Sequence, residues 1–159
     1  MIAGWWTGAP TRVGPLAILA AGIGSAAMIY GLLWLHGQTG LAWLIPSFGA
    51  SCALVFGVPD SPFAKPVSVI GGHLVASLVG LVTMALLGHG IAAMAVGVGC
   101  GIAAMMVTRT MHPPAGGDPL IVIAAAATPG FLLAPVLAGT IAITFAGFVF
   151  RWIRRRSVH

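Results

Sequence analysis

Acidic side chains are nearly absent: Asp60 and Asp118 are the two carboxylates in 159 residues, and charged residues of either sign make up 6% of the chain. Two isolated carboxylates cannot divide acid and base roles in the manner of a paired-carboxylate hydrolase. No Ser/His/Asp set, HExxH helix or phosphate loop takes their place, so an enzyme is not expected. Cysteine is as scarce. Cys52 and Cys100 both fall in apolar runs, where a small buried residue is the expected role and a disulfide would need a partner at matching depth. Met84, Met94, Met105, Met106 and Met111 have no paired Met or Cys/His ligand spacing, so neither a metal nor a cofactor is expected. The net charge of +5 rests largely on Arg151, Arg154, Arg155 and Arg156 behind an apolar run. That placement marks a membrane boundary, not a nucleic-acid footprint.

What is abundant is apolar surface. Hydrophobic residues make up 59% of the chain and the mean hydropathy is +1.07, which no water-facing surface can use. The expectation is an all-α membrane protein forming one transmembrane domain over 1–159, with the lipid bilayer as its surroundings. The runs Leu16 to Leu35, Val67 to Leu87 and Phe131 to Phe150 each approach the roughly 20 residues that cross a bilayer as helix. The first is too long for a cleaved leader, so the amino terminus is expected to stay attached. Leu41 to Gly57, Ile91 to Val107 and His112 to Thr128 lie near the lower limit of about 17, and the first and third contain prolines. These two are the expected broken helices.

Charge orders the crossings. If all six segments cross, Arg12, Lys65, Arg109 and the terminal arginines share one side, while the turns near Gly37, Gly88 and Thr128 carry no Lys or Arg. Both termini are then cytoplasmic in a multi-pass protein of the cell inner membrane. Four spans with two re-entrant segments is the alternative, and it moves Lys65 and Arg109 outside against the bias. Pro46 and Gly49 return as Pro113 and Gly116, and Pro66 has a counterpart in Pro135. Two halves, about 12–87 and 88–156, therefore read as an inverted 3+3 repeat with the broken segments meeting near the midplane.

The breaks carry the candidate residues. Ser47 is expected to cap a half-helix whose N–H groups, with Gly49 and the Ser51 hydroxyl, face a ligand. In the second half Gly116 and Gly117 allow close backbone approach. Asp118 ahead of Pro119 is expected to cap its helix and to pair with Arg109. Arg109 and His112, three apart, would share a helix face at a cytoplasmic mouth. His73 lies inside a span, where an ionisable side chain is a functional candidate. Gly97, Gly101 and Ala104 form a small-residue face suited to self-association as a homo-oligomer.

His112-Pro113-Pro114-Ala115-Gly116, with Pro46-Ser47-Phe48-Gly49-Ala50-Ser51, Ser61-Pro62-Phe63-Ala64-Lys65-Pro66 and Gly71-Gly72-His73-Leu74, resembles the HPP family of integral membrane proteins. The resemblance implies a small helical bundle, often assigned four spans, and a link to nitrite transport in plastid and cyanobacterial members. The family usually has Gln at the position of Lys65 and Arg-Asn at Val67-Ser68. The expected function is a transporter or channel for a small monovalent inorganic anion, with nitrite or a similar oxyanion as the expected substrate. Its expected substrate-binding residues are Ser47, Gly49, Ser51, His73, Arg109, His112, Gly116, Gly117 and Asp118. The alternative is a non-transporting membrane module for sensing or assembly. The chain's end at its arginines is read as favouring the first.

Overall fold

The computed structural model describes residues 13–156, so Arg12 lies outside the described residues. Within them the chain is helical: α1 Pro15–Thr39, α2 Ser47–Cys52, α3 Pro66–Leu87, α4 Ile91–Val107, α5 Asp118–Ala124 and α6 Ala138–Arg156. Prolines with preset φ open α1, α3 and α5, where a missing N–H costs nothing. Gly40 closes α1 at φ 68° and Gly88 closes α3 at φ 75°, each donating its N–H back to the last turn.

Three apolar helical stretches are long enough to cross a membrane, Pro15–Thr39, Pro66–Leu87 and Pro129–Arg154. The two proline-bearing segments are shorter. A π-helical turn, Ala53–Gly57, extends α2, and a 3-10 turn, Pro113–Gly117, leads into the 7 residues of α5. Neither helix alone reaches the length of a span.

Polarity is arranged for lipid. Leu16, Ile23, Leu86, Ile91, Val107 and Phe145 are exposed, while Ser47, Ser51, His73, Ser77, His112, Thr140 and Asp118 are buried. In a bilayer an outward polar side chain would lose its hydration unmatched, so such groups collect inside and satisfy one another. The main core packs Leu32, Phe48, Val55, Val69, Val136 and Ile143 between α1, α2, α3 and α6.

Glycines set the close approaches. A Cβ at Gly72 would lie 2.7 Å from both the His112 Cβ and the Thr110 carbonyl, so the segment 110–112 can press on α3 there. Gly80, Gly97 and Gly101 all face Pro119, with a Cβ on Gly97 meeting its Cβ at 3.1 Å. Gly97 and Gly101 are thus spent inside the bundle, and the self-association face read from them is corrected on that ground. Cys52 is buried, but Cys100, expected to be buried, is exposed.

The ends of the bundle are tied by polar contacts. Arg154 Nη2 donates to Asp60 Oδ2 at 3.2 Å and Arg151 Nη1 to the Pro59 carbonyl at 3.3 Å, joining the chain after α2 to the end of α6. His89, in the α3–α4 turn, bonds the Ile123 carbonyl near the end of α5 through Nδ1 at 3.1 Å.

Candidate functional site

The starts of α2 and α5 meet in the interior. Ser47 Oγ donates to Asp118 Oδ1 at 2.7 Å, and both side chains are buried. The residues that meet are 71 apart, not the 67 suggested by the Pro46 and Pro113 match. The 3-10 turn Pro113–Gly117 delays α5 until Asp118, whereas α2 starts directly after Pro46.

Asp118 is the hub of a larger cluster. Its Oδ2 lies 2.6 Å from His73 Nδ1 and accepts from Ser77 Oγ at 3.2 Å. Ser77 is four residues after His73 on α3, so one helix face aims both at the carboxylate. The other imidazole nitrogen of His73, Nε2, lies 2.8 Å from Ser51 Oγ. Ser51 Oγ is also 2.9 Å from His112 Nε2, and His112 Nδ1 donates to the Phe63 carbonyl at 2.8 Å. A continuous chain of hydrogen bonds thus runs from Asp118 through His73 and Ser51 to His112 and the backbone at Phe63. Asp118, His73, Ser51 and His112 are each 0% exposed.

The local structure explains each placement. Ser47 and Ser51 lie one turn apart on α2, and Ser51 Oγ also reaches the Ser47 carbonyl at 3.1 Å. Phe48 packs edge-on against the His73 ring, centroids 5.3 Å apart, closing the cluster on its apolar side. Gly72 leaves the room into which His112 fits. His112 itself has extended backbone (φ −137°, ψ 99°), which the following proline favours.

Several expectations are corrected here. Neither Ser47 nor Asp118 caps its helix: both side chains turn instead to the shared cluster. Asp118 pairs with His73, not Arg109, whose side chain is exposed. Arg109 and His112 do not share a helix face, because α4 ends at Val107 and Arg109 takes a left-handed φ of 57°. Gly49 is exposed, and a Cβ on Gly49 or Gly117 would touch nothing within 4 Å, while one on Gly116 would meet a single Ile102 carbon at 3.9 Å. These glycines show no close backbone approach to the cluster.

The missing Ser/His/Asp set is assembled after all, from α2, α3 and α5. Its spacing is that of a catalytic triad, yet Ser51 is fully buried and shared between two imidazoles. A depression of about 470 Å³ beside α2 is lined by the apolar or prolyl residues Ala50, Ala53, Leu54, Val58, Pro113 and Pro114 and brings no polar wall to Ser51. Ser77 and the Phe63 carbonyl were not singled out from the sequence. The i, i+4 spacing from His73 was a usable signal for Ser77; nothing local marks Phe63.

Comparison with known proteins agrees with the chain's membrane character. A transmembrane protein of Dictyostelium discoideum is 34% identical over 123 residues, covering 72% of this chain and 43% of that protein. A second transmembrane protein of the same organism is 33% identical over 115 residues, covering 67% of this chain and 37% of the relative. The chain therefore matches less than half the length of either relative. No solved structure matches. The family described as HPP, transmembrane region, matches residues 10–159, and the chain belongs to that family of membrane proteins.

Proposed function

We propose that this protein carries a small monovalent anion, nitrite or a similar oxyanion, across the membrane. The observation behind this reading is the fully buried Asp118 carboxylate held by Ser47, Ser77 and His73. A carboxylate is itself a planar, singly charged oxyanion, and here side-chain donors replace its water. Burying one without partners would cost several kcal/mol, whereas hydrogen bonds to a charged group contribute about 1.5–3 kcal/mol each. A free anion of similar shape can take over the same donors once the carboxylate is protonated or turns away. The donors are side chains rather than helix N–H groups. Lys65 and Arg109 are exposed, so neither acts as a fixed central cation that would hold the anion too tightly for release.

On this reading six segments cross as two inverted halves, both termini face the cytoplasm, and the protein is a multi-pass component of the inner membrane. The end contacts support it. The two short helices leave the Ser47–Asp118 contact in opposite directions, α2 toward the Asp60–Arg154 end and α5 toward His89. With a rise of about 3.3 Å per extended residue and 1.5 Å per helical residue, residues 41–46 followed by Ser47–Gly57 can cover a hydrocarbon core of roughly 30 Å.

The test is uptake of nitrite, nitrate, formate and chloride by proteoliposomes, with empty liposomes as the baseline. Ser47→Ala and His112→Ala are expected to lower uptake of the preferred anion at least tenfold in folded protein, and Arg109→Ala to change it less than about threefold. If no anion passes above baseline, the reading fails and a sensing or assembly module replaces it.

A further inference from the structure

The Phe63 carbonyl can only accept, so the 2.8 Å contact requires a proton on His112 Nδ1. If His112 is neutral, its Nε2 is bare and needs the Ser51 hydroxyl proton across 2.9 Å. His73 Nε2, at 2.8 Å from the same oxygen, then faces no donor unless it carries its own proton. One hydroxyl proton cannot serve two bare nitrogens, and the Ser47 carbonyl at 3.1 Å competes for it as well. Two neutral imidazoles, each protonated at Nδ1, with an ionised Asp118 therefore leave the cluster one proton short. It is satisfied when one more proton sits at the His73 end, shared across the 2.6 Å contact with Asp118, or at the His112 end as imidazolium.

We infer that the Asp118–His73–Ser51–His112 cluster is a binding site for one exchangeable proton, passed between the two histidines through Ser51 and coupled to anion movement. The coupling rests on the anion reading; the proton site does not. In the transfer, His73 Nε2–H gives its proton to Ser51 Oγ while the Ser51 O–H bond breaks and its proton bonds to His112 Nε2. His73 is left neutral with Nδ1–H on the Asp118 carboxylate, and His112 becomes the cation, so one proton moves and no other reactant is consumed. With the proton at the His73 end the charges of His73 and Asp118 cancel at 2.6 Å, so the buried cluster carries no net charge into its apolar surrounding.

Other charged groups stay clear. Lys65 and Arg109 are exposed, Arg151 and Arg154 reach Pro59 and Asp60, and Arg156 lies over Trp152. Cys52, next to Ser51 on α2, is the other buried ionisable side chain on the packed elements among the described residues, since Cys100 is exposed. Protonation of His73 balances the Asp118 charge and lets an anion share the Ser47 and Ser77 donors; its loss leaves the carboxylate uncompensated, and that charge repels the anion. One site thereby links the two movements.

Two measurements on the full chain in bilayers test this. Nitrogen-15 NMR of labelled histidines, assigned with His36→Gln, His89→Gln and His159→Gln variants, is expected at neutral pH to show His112 protonated at Nδ1 and bare at Nε2, and His73 protonated at Nε2. A bare His73 Nε2 beside a neutral His112 overturns the proton site. Nitrite uptake is then followed at clamped membrane potential with a pH dye inside, the leak of empty vesicles being subtracted. The expected result is one proton per anion, uptake several-fold faster with an inward proton gradient, and proton movement lost in Asp118→Asn. Protein-mediated nitrite uptake without protons overturns the coupling. No uptake of any anion, with the NMR pattern intact, overturns the anion reading and leaves the proton site standing.

Discussion

At the scale of single residues, Asp118 concentrates the consequences. Truncation in Asp118→Ala would leave Ser47, Ser77 and His73 without their acceptor in a site closed to water. Each orphaned polar group costs about 1–3 kcal/mol, so this variant is expected to lose several kcal/mol and a large part of its thermal midpoint in detergent. Asp118→Asn should fare better. Its carbonyl oxygen can accept from Ser47, its amide can donate to a bare His73 Nδ1, and the Ser77 hydroxyl can turn to accept. The expected loss is about 1 kcal/mol, and equal midpoints for the Ala and Asn variants would refute the account. Ser51→Ala breaks the hydrogen-bonded link between the two imidazoles, whose rings stand 5.0 Å apart, and should cost about 1–3 kcal/mol for the same reason.

At the scale of elements, backbone approach and helix ends carry separate tests. Gly72→Ala drives a methyl into the His112 Cβ and Thr110 carbonyl, each 2.7 Å away, and one of these is backbone that cannot rotate aside. Overpacking of this kind costs typically 1–3 kcal/mol, and it should push His112 off Ser51. Gly49→Ala, with nothing within 4 Å, is the matched control and should fold as wild type. Thermal unfolding of the pair decides this, and equal behaviour would mean the segment 110–112 is not clamped by α3. The end of α5 offers the opposite case. Ala126 holds φ 48° while Ala127 N–H bonds the Val122 carbonyl at 3.0 Å, a helix termination that glycine makes without steric cost. Ala126→Gly should therefore raise stability by up to about 1 kcal/mol. A fall in thermal midpoint would show that the left-handed turn is not what limits α5.

For the whole molecule, the proposed topology puts Lys65 and Arg109 at one end. His112, three residues past Arg109, is bonded to the carbonyl of Phe63, two residues before Lys65, so these loops travel together. Cysteines at Lys65 and Arg109 in a Cys52→Ala, Cys100→Ala background should resist a membrane-impermeant thiol reagent added outside sealed cells and react after permeabilisation. Strong labelling of both from outside would favour four spans with two re-entrant segments. The cluster is closed in this conformation, so the proposed anion passage would also require the bundle to open.

Membrane character, the three long apolar helices and the two short proline-broken segments were legible in the sequence, because each follows from the local cost of placing polar side chains or backbone in lipid. Family membership was legible too, through motifs that stand in order along the chain. Ser47, Ser51, His73, His112 and Asp118 could each be suspected from a polar group set in an apolar run. Their joining could not. Whether Asp118 caps its own helix, meets Arg109 or bonds His73 depends on which side chains arrive from α2 and α3, and on Gly72 leaving room for His112. Arg109 was misplaced because the run Ile91 to Val107 marks where α4 stops, but the sequence does not reveal that Arg109 then takes a left-handed φ and breaks the helical register toward His112. Composition fixes what must be hidden from lipid; the tertiary structure decides with whom each hidden group pairs, since hydrogen bonds depend on distances of a few tenths of an ångström that only the packed bundle sets.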